Sequence, residues 1–313
     1  MKRTKPEKLK IGDTIGIISP SSKPPDEAKF WRGIDYLKHK GFEVSLGKHV
    51  LNQRGYLAGS DDERAEDINS MFQRKDVRAI ICSRGGYGGP RLLERLDYPA
   101  IKKHPRIFVG YSDITVLQNA ILAKTGLITF SGPMVAVEMG AGITPFTEEN
   151  FWSMLTTPQP VFPLANPAEK PFEVLREGTA EGRLVGGCLS VMLPLVGTQY
   201  FPDVSGGILV IEDIDEEAYR LDRALFHLRA AGVLNKVSAI VLGEFIDCEA
   251  KDPAKPSLTV KDVIHDALEG LNIPVISGFA YGHGKIKLTV PFGAQARLDT
   301  TKRTFDVIEP VVK

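Results

Sequence analysis

A serine on a glycine-containing turn is the residue whose surroundings most suggest covalent chemistry. Ser112 lies in the segment 106–113, Arg-Ile-Phe-Val-Gly-Tyr-Ser-Asp, between a strand-like apolar run and an amphipathic helical pattern. A sharp strand-to-helix turn exposes a serine hydroxyl, and free N–H groups at the helix start favour an oxyanion. The match to a nucleophile elbow is incomplete, because Ile114 occupies the position of the second glycine. Ser112 is therefore either a nucleophile or, with Asp113, part of a helix cap.

The glycine-rich segment Arg84-Gly-Gly-Tyr-Gly-Gly89 follows another strand-like run. Glycines allow backbone N–H groups to approach a ligand closely. The segment is interpreted as an oxyanion-stabilising wall that faces Ser112, as a phosphate cradle, or as an unusual tight turn. The phosphate interpretation is poor, because the sequence has neither the Lys-Ser/Thr ending of a P-loop nor a G-x-G-x-x-G fingerprint here.

A nucleophilic serine requires a base, usually histidine, and the base requires an orienting carboxylate. Of the six histidines, His283 stands apart because glycines flank it in a loop that follows the apolar run Pro274–Phe279. The carboxyl end of a strand is where α/β folds place ligand chemistry, although a loop histidine bonded to backbone is an equal alternative. The other histidines have charged or helical surroundings typical of a surface: His39, His49, His104, His227 and His265.

The acidic run 212–217 directly follows the apolar run Gly207–Ile211 and offers the carboxylate. Asp215 fits the N-cap of a helix, and the two glutamates after it fit the first helical turn. Spacing alone does not decide between Glu212 and Asp213 as the orienting group. A metal site is the rival interpretation of this run, but it requires more His or carboxylate partners than the sequence offers.

Bulk composition excludes several classes of function. The 39 basic and 39 acidic side chains balance, which argues against a nucleic-acid surface and against electrostatic membrane docking. The apolar run Val185–Gly197 is too short to span a bilayer, and no signal-like apolar stretch follows the basic N-terminus. Cys82, Cys188 and Cys248 are spaced too widely for a zinc knuckle or a redox pair. Buried or idle thiols in a reducing compartment are expected, which predicts a cytoplasmic protein.

Apolar spacing predicts a chain of alternating strands and helices. In the first half, strands are predicted at 13–19, 42–46, 78–83 and 107–110, and helices at 26–40, 61–74 and 114–124. This alternation predicts βαβ units and a parallel sheet. Prolines concentrate between 140 and 180, which indicates a connection between domains with a short helix at 147–155. In the second half, strands are predicted at 207–211, 239–242, 274–279 and within 287–308, and helices at 218–231 and 260–268.

Taken in order, the segments of this chain resemble the LD-carboxypeptidase family, serine peptidases of the muramoyl-tetrapeptide carboxypeptidase and microcin-immunity type. The resemblance covers nearly the whole chain, and each segment is weak alone, but the ordered set is highly specific. It rests on Leu9–Asp13, Ser19–Ser22, Arg84–Gly88, Gly110–Asp113, Thr129–Pro133, Gly186–Ser190, Ile211–Asp213, Tyr219–Arg223 and Gly282-His283.

The resemblance implies a role for each matching residue. Ser112 is the nucleophile, His283 the base, and Glu212 rather than Asp213 the orienting acid. Backbone N–H groups of Asp113 and Gly86 form the oxyanion hole. No metal and no cofactor is implied.

The family fold implied is α/β with two domains. A mostly parallel, flavodoxin-like domain spans 1–165 and carries the nucleophile. A mixed β/α domain of the swivelling type spans 166–313 and carries the acid and the base, so the site lies between the two. A homodimer is also implied.

The implied reaction is cleavage of an L,D-peptide bond through an acyl-enzyme, which releases terminal D-alanine from a murein tetrapeptide during cell-wall recycling. The nearest alternative is hydrolysis of a peptidyl-nucleotide antibiotic for self-immunity, and the second is a non-catalytic ligand-binding module on the same fold. Arg84, Tyr111 and Cys188 are the candidate substrate contacts. The family usually has asparagine at position 188, and a thiol is a weaker hydrogen-bonding group. Substrate preference is therefore the least determined part of the hypothesis.

Overall fold

The computed structural model describes residues 3–252 and 254–313. The predicted domains 1–165 and 166–313 include residues 1, 2 and 253, which lie outside the described residues. In chain order the strands are β1 (Thr14–Ile18), β2 (Glu43–Leu46), β3 (Val77–Cys82), β4 (Ile107–Val109), β5 (Thr129–Ser131), β6 (Phe162–Pro163), β7 (Glu173–Arg176), β8 (Thr179–Cys188), β9 (Ile208–Ile214), β10 (Ala239–Ile246), β11 (Val275–Ser277), β12 (Val290–Phe292), β13 (Gln295–Asp299) and β14 (Thr304–Val307). The α-helices are α1 (Glu27–His39), α2 (Asp61–Gln73), α3 (Tyr98–Lys103), α4 (Ile114–Thr125), α5 (Pro145–Thr156), α6 (Leu189–Met192), α7 (Ala218–Ala230) and α8 (Val260–Leu268).

Two sheets organise the molecule. The first has the order β12-β5-β4-β3-β1-β2 and is parallel except for β12, which runs antiparallel to β5. The second has the order β6-β14-β13-β8-β9-β10-β11-β7, with a parallel centre from β8 to β11 and antiparallel strands on both sides. The expected α/β architecture, a mostly parallel sheet followed by a mixed one, is confirmed.

The first sheet is buried on both faces, and its sequence shows why. Ile107 and Val109 of β4 pack into the apolar cluster that also contains Phe30 and Ile34 of α1, whereas Phe108 points into the cluster on the opposite face. Alternate side chains of a strand lie on opposite faces, so a continuous apolar run suits a sheet that is covered on both sides. The larger cluster continues into the second sheet, so that the two sheets share one apolar core.

Most predicted elements are confirmed to within a few residues, but the segment 140–180 and its neighbour differ. This segment contains β6 and β7 as well as α5, and the ten-residue strand β8 had no predicted counterpart. Glycines weaken the strand pattern of β8, yet Gly186 is required there, because a β-carbon would lie 2.0 Å from the Val210 carbonyl oxygen. The close approach of β8 and β9 thus requires glycine, and glycine lacks the side chain whose apolar pattern would have predicted strand β8.

The predicted domain boundary at residue 165 remains a prediction. Two strands belong to the sheet on the other side of that boundary. β6 lies before it but belongs to the second sheet, and β12 lies after it but completes the first. Helix α4 also binds the second sheet, since Asn119 Nδ2 donates a hydrogen bond to the Gly186 carbonyl at 2.8 Å. Among the described residues, no helix combines the length and apolar character needed to cross a bilayer.

Candidate active site

Ser112 occupies a strained turn between β4 and α4. Its φ is +63°, a left-handed conformation that costs free energy in a residue other than glycine. Gly110 makes the turn sterically possible, because a β-carbon there would lie 2.8 Å from the Ile114 side chain. The half-buried Ser112 Oγ has no hydrogen-bond partner in residues 3–252 and 254–313. Strain of this kind clusters at functional sites and fits a hydroxyl that is held out for reaction.

The helix-cap alternative for Ser112 and Asp113 is wrong. Asp113 occupies the N-cap position of α4, but its side chain accepts no hydrogen bond from the helix. The buried carboxylate instead accepts hydrogen bonds from Ser21 Oγ at 2.5 Å and from Gly89 N at 2.7 Å. Burial raises the pKa of this carboxyl, while the two donors act in the opposite direction. Asp113 therefore ties the glycine-rich segment to the serine turn.

The glycine-rich segment lies directly against Ser112. A β-carbon on Gly85 would lie 2.9 Å from Ser112 Oγ and 3.3 Å from Asp113 N, so the space next to the hydroxyl requires glycine. Gly86 has φ +123°, and a β-carbon there would lie 2.3 Å from Ser22 Oγ. Ser22 Oγ also accepts a hydrogen bond from Tyr87 N at 3.2 Å. This placement favours the oxyanion-wall interpretation, while the role of the Gly86 N–H remains a prediction.

Glu212 of β9 contacts His283, which lies in the loop after β11. His283 Nδ1 lies 2.8 Å from Glu212 Oε2, and Glu212 is fully buried. Gly282 permits this contact, because a β-carbon at its φ of +113° would lie 2.4 Å from Glu212 Oε2. With Nδ1 engaged by the carboxylate, Nε2 is the nitrogen left for a proton transfer.

Asp213 points to the opposite face of β9, as the period of a strand requires. Its carboxylate accepts hydrogen bonds from Ser190 N at 2.7 Å and from Ser190 Oγ at 3.0 Å. Burial raises the pKa of Asp213 to about 6, against the lowering effect of these donors. Of the two carboxylates that spacing left open, Glu212 is the one that contacts His283, which favours it as the orienting group, while that role remains a prediction.

Two details of the acidic run were predicted wrongly. β9 does not end at Ile211 but continues to Ile214, so Glu212 lies within the strand. Asp215 is not an N-cap, because α7 begins at Ala218 and Glu217 holds the cap position without a side-chain hydrogen bond. Asp215 has φ +60° and forms an ion pair with Lys251 at 2.7 Å. The register between β9 and β10 extends the strand beyond its apolar core.

A cleft of about 260 Å³ brings several of the predicted residues together. Ser112, His283, Arg84, Gly86 and Tyr111 all line it. No hydrogen bond joins the serine to the histidine within the described part of the chain. Catalytic hydrogen bonds are often long in free enzymes and shorten when substrate binds.

Cys188 differs from the other candidate substrate contacts. It is 2% exposed and does not line the cleft, and its thiol lies 3.5 Å from Asp213 Oδ1. Burial, with the charge of Glu212, raises the pKa of the Cys188 thiol. Contact between Cys188 and substrate remains a prediction that this position does not favour. All three cysteines are buried free thiols, as expected.

Sequence reasoning missed two pairs of charged residues near the reacting groups. Asp26 and Lys29, at the start of α1, line the cleft. Glu138 and Lys287 form a buried ion pair beside Tyr111. The Glu138–Lys287 pair has no local sequence signal, because the two residues come from distant segments of the chain. Asp26 and Lys29 are close in sequence, but only the folded chain shows that they line the cleft.

His49 was wrongly assigned to the surface. It is 9% exposed, and its Nε2 lies 3.0 Å from Glu66 Oε2. His39, His227 and His265 are exposed, as predicted, and His104 is partly so. Within residues 3–252 and 254–313, no group of three or more His, Cys, Asp or Glu side chains is arranged to hold a metal ion.

Comparison with known proteins matches both halves of the chain to one family. Residues 15–132 match the LD-carboxypeptidase N-terminal domain, and residues 181–298 match the LD-carboxypeptidase C-terminal domain. The "Probable murein peptide carboxypeptidase" of Bacillus subtilis (strain 168) is 40% identical over 96% of this chain and 93% of its own length. The "Murein tetrapeptide carboxypeptidase" of Pseudomonas aeruginosa is 32% identical over 92% of this chain and 94% of its own.

A solved structure shows the same relationship. The structure of MccF in complex with glutamyl sulfamoyl guanosine has a TM-score of 0.90 and 30% sequence identity, and the alignment covers 99% of each chain. Its fold and that of this chain therefore agree over their whole length. With both domain models matched and a 40% identical relative aligned almost end to end, the chain belongs to the LD-carboxypeptidase family.

Proposed function

We propose that this protein is a serine carboxypeptidase that cleaves an L,D-peptide bond and releases terminal D-alanine from a murein tetrapeptide. The observation that carries the proposal is the convergence on one cleft of a strained serine and a histidine that is bound to a buried carboxylate. The family relatives named for murein peptides support the substrate class.

The proposed mechanism follows from these positions. His283 Nε2 takes the proton of Ser112 Oγ as the oxygen attacks the scissile carbonyl. Glu212, bound to Nδ1, fixes the tautomer and stabilises the imidazolium that forms. The tetrahedral oxyanion is bound by backbone N–H groups of Asp113 and Gly86.

Collapse of this intermediate breaks the peptide bond. The imidazolium of His283 donates its proton to the departing amine of D-alanine and leaves an acyl-Ser112. Water, deprotonated by the same histidine, then attacks the ester and restores the free serine.

A carboxypeptidase must also recognise a terminal carboxylate. Arg84 and Lys29 are the cationic side chains of the cleft wall, and Arg84 belongs to the segment that lies against Ser112. We assign the terminal carboxylate to Arg84, because its guanidinium offers paired donors suited to a carboxylate. Tyr111 also lines the cleft.

The central test is the variant Ser112→Ala. We expect D-alanine release from murein tetrapeptide to fall by at least about 1,000-fold, since loss of a nucleophile disables the whole triad. Chromatographic quantification of free D-alanine provides the measurement, and Ser153→Ala in α5 is the matched serine control. Release at the wild-type rate by Ser112→Ala would exclude the serine mechanism.

The second candidate function is hydrolysis of a peptidyl-nucleotide antibiotic, which the whole-length similarity to MccF favours. Parallel assays with murein tetrapeptide and with an aminoacyl sulfamoyl adenosine distinguish the two, because the first releases D-alanine and the second releases its own amino acid together with sulfamoyl adenosine. Binding of either compound without turnover by the wild-type protein would instead support a non-catalytic module.

Assembly and location belong to the same proposal. We infer a homodimer that acts in the cytoplasm on peptides recovered from the cell wall. Sedimentation equilibrium of the purified protein tests the first inference, and fractionation of cells that express the full chain tests the second.

A further inference from the structure

Beside the candidate base lies a cluster of three side chains, called here the inner cluster: Tyr111, Glu138 and Lys287. The Tyr111 hydroxyl donates a hydrogen bond to Glu138 Oε1 at 2.8 Å, and the Lys287 ammonium forms an ion pair with the same carboxylate. Lys287 Nζ also lies over the Tyr111 ring, 4.0 Å from its centroid. The other carboxylate oxygen accepts a hydrogen bond from Met134 N at 2.9 Å.

The inner cluster is buried and fully paired. The side chains of Lys287 and Glu138 are 3% and 10% exposed. Burial raises the pKa of Glu138, but the Lys287 charge and the hydrogen bonds together lower it by more, so the net pKa lies below its ordinary value. Burial raises the pKa of Tyr111 well above its usual range, which keeps its hydroxyl a donor to Glu138. Burying two charges is costly unless their geometry is well defined, so this pair favours one fixed arrangement.

The three residues belong to segments that carry different parts of the reaction. Tyr111 immediately precedes Ser112, and Lys287 lies in the same loop as His283, between β11 and β12. Glu138 lies in a single π-helical turn, Val135–Met139, after β5, and such turns frequently occur at functional sites. The inner cluster therefore connects the serine turn with the histidine loop through one buried carboxylate.

His283 needs such a connection. Its only hydrogen bond within the described residues is the one from Nδ1 to Glu212, and a single bond leaves the ring free to tilt about that contact. The Tyr111 ring packs against the imidazole with centroids 5.1 Å apart and planes at 69°. The Tyr111 ring is in turn held at its hydroxyl by Glu138 and at its face by Lys287.

We propose that Tyr111, Glu138 and Lys287 are positioning residues that orient the His283 imidazole toward Ser112. This inference rests on the proposed role of His283 as the base. It assigns the Tyr111 hydroxyl to Glu138 and not to the substrate, because the hydroxyl is engaged and Tyr111 is 5% exposed. Removal of that hydroxyl should therefore slow the chemical step and leave substrate binding intact.

The test is Tyr111→Phe with Tyr36→Phe as the matched control. Tyr36 Oη likewise donates to a glutamate, Glu148, at 2.7 Å, in a cluster with Lys40 that does not line the cleft. We expect Tyr111→Phe to lower kcat for D-alanine release by about 10-fold and to leave KM within about 2-fold, since small misplacement of a reacting group mainly costs rate. We expect Tyr36→Phe to change neither constant. A raised KM with unchanged kcat in Tyr111→Phe would overturn the proposal and make the Tyr111 hydroxyl a substrate contact.

A second measurement does not require the peptide. A fluorophosphonate forms a P–O bond with an activated serine as fluoride leaves, and the rate of labelling of Ser112 reports how well the base is placed. Labelling should slow by about 10-fold in Tyr111→Phe, as kcat does, and remain unchanged in Tyr36→Phe. Equal labelling in wild type and Tyr111→Phe would overturn the positioning role even if the tetrapeptide is not a substrate. Wild-type labelling without D-alanine release would overturn only the proposed substrate, and absence of wild-type labelling would overturn both.

Discussion

Two clusters contain the same three residue types, tyrosine, lysine and glutamate, but differ in burial. Their comparison shows how burial changes the strength and rigidity of an ion pair. The inner cluster lies beside His283, and the outer cluster consists of Tyr36, Lys40 and Glu148. In both, the tyrosine hydroxyl donates to the glutamate and the lysine pairs with that glutamate. The lysine and glutamate side chains of the outer cluster are 39% and 29% exposed, against 3% and 10% in the inner cluster.

Because the two clusters differ in exposure, their similar Lys–Glu ion pairs differ in strength. Water solvates the outer charges whether or not they are paired, so their attraction is weak and salt screens it. The inner charges have lost that solvation and depend on one another. The lysine also lies closer to the tyrosine ring in the inner cluster, at 4.0 Å from the centroid against 5.7 Å in the outer. A fixed geometry next to a reacting group is therefore expected only of the inner cluster.

The largest expected effect is that of Lys287→Met on stability. Removal of the ammonium leaves Glu138 buried without its counter-charge, so we expect the free energy of unfolding to fall by about 3 to 5 kcal/mol. Urea denaturation of the purified variant provides the measurement. The double variant Glu138→Gln with Lys287→Met should recover most of the loss, because it removes both charges. No recovery in the double variant would show that packing and not charge dominates the inner cluster.

A smaller effect is expected in the pH dependence of stability. The net pKa of Glu138 is lowered in the folded protein, so its contribution to stability is present above its unfolded pKa of about 4.3 and is lost as pH falls through the folded value. Over that acidic range the free energy of unfolding of the wild type should fall by up to about 1.4 kcal/mol per pH unit more than that of Glu138→Gln. Urea titrations at a series of pH values provide the test.

The matched comparison for this prediction is Glu148→Gln in the outer cluster. The pKa of Glu148 is also lowered, by Lys40 and Tyr36 against the raising effect of burial. Because Glu148 is more exposed, its replacement should change the pH dependence of the free energy of unfolding less, and that change should be more sensitive to salt. Equal slopes for the two variants would contradict the difference drawn between the clusters.

The smallest expected effect is that of Lys40→Met. An ion pair between exposed side chains contributes about 1 kcal/mol or less, so the free energy of unfolding should change little. D-alanine release should remain at the wild-type rate, because the outer cluster does not line the cleft. A loss as large as that of Lys287→Met would show that exposure does not govern these contacts.

Much of the architecture could be predicted because the local sequence pattern of each element determines it. Apolar alternation and helical spacing located β1, β3, β4 and β9 together with α1, α2, α4, α7 and α8 to within a few residues. The turn around Ser112 and the glycines around His283 are likewise local features, so both residues were identified. The ordered motifs then associated Glu212 with them, and the contact between Glu212 and His283 is present.

The rest depends on which distant segments meet. Gly85 could not be distinguished from its neighbouring glycines, because only the position of Ser112 shows which of them lies against the hydroxyl. Glu138 and Lys287 belong to no motif, and their pairing exists only once the histidine loop packs on the serine turn. Asp215 looked like a helix cap because the extension of β9 by its pairing with β10 is not visible in local sequence.

The pairing of β12 with β5 has a consequence for how the protein forms. Ser131 pairs with Val290, so the last strand of the first sheet comes from near the end of the chain. Contacts between segments so far apart require closure of a long loop, and high contact order slows folding. During synthesis the edge of β5 in the sheet that carries Ser112 therefore stays uncovered until residues 290–292 have been made. A fragment that ends before β12 would expose that edge to association with other strands.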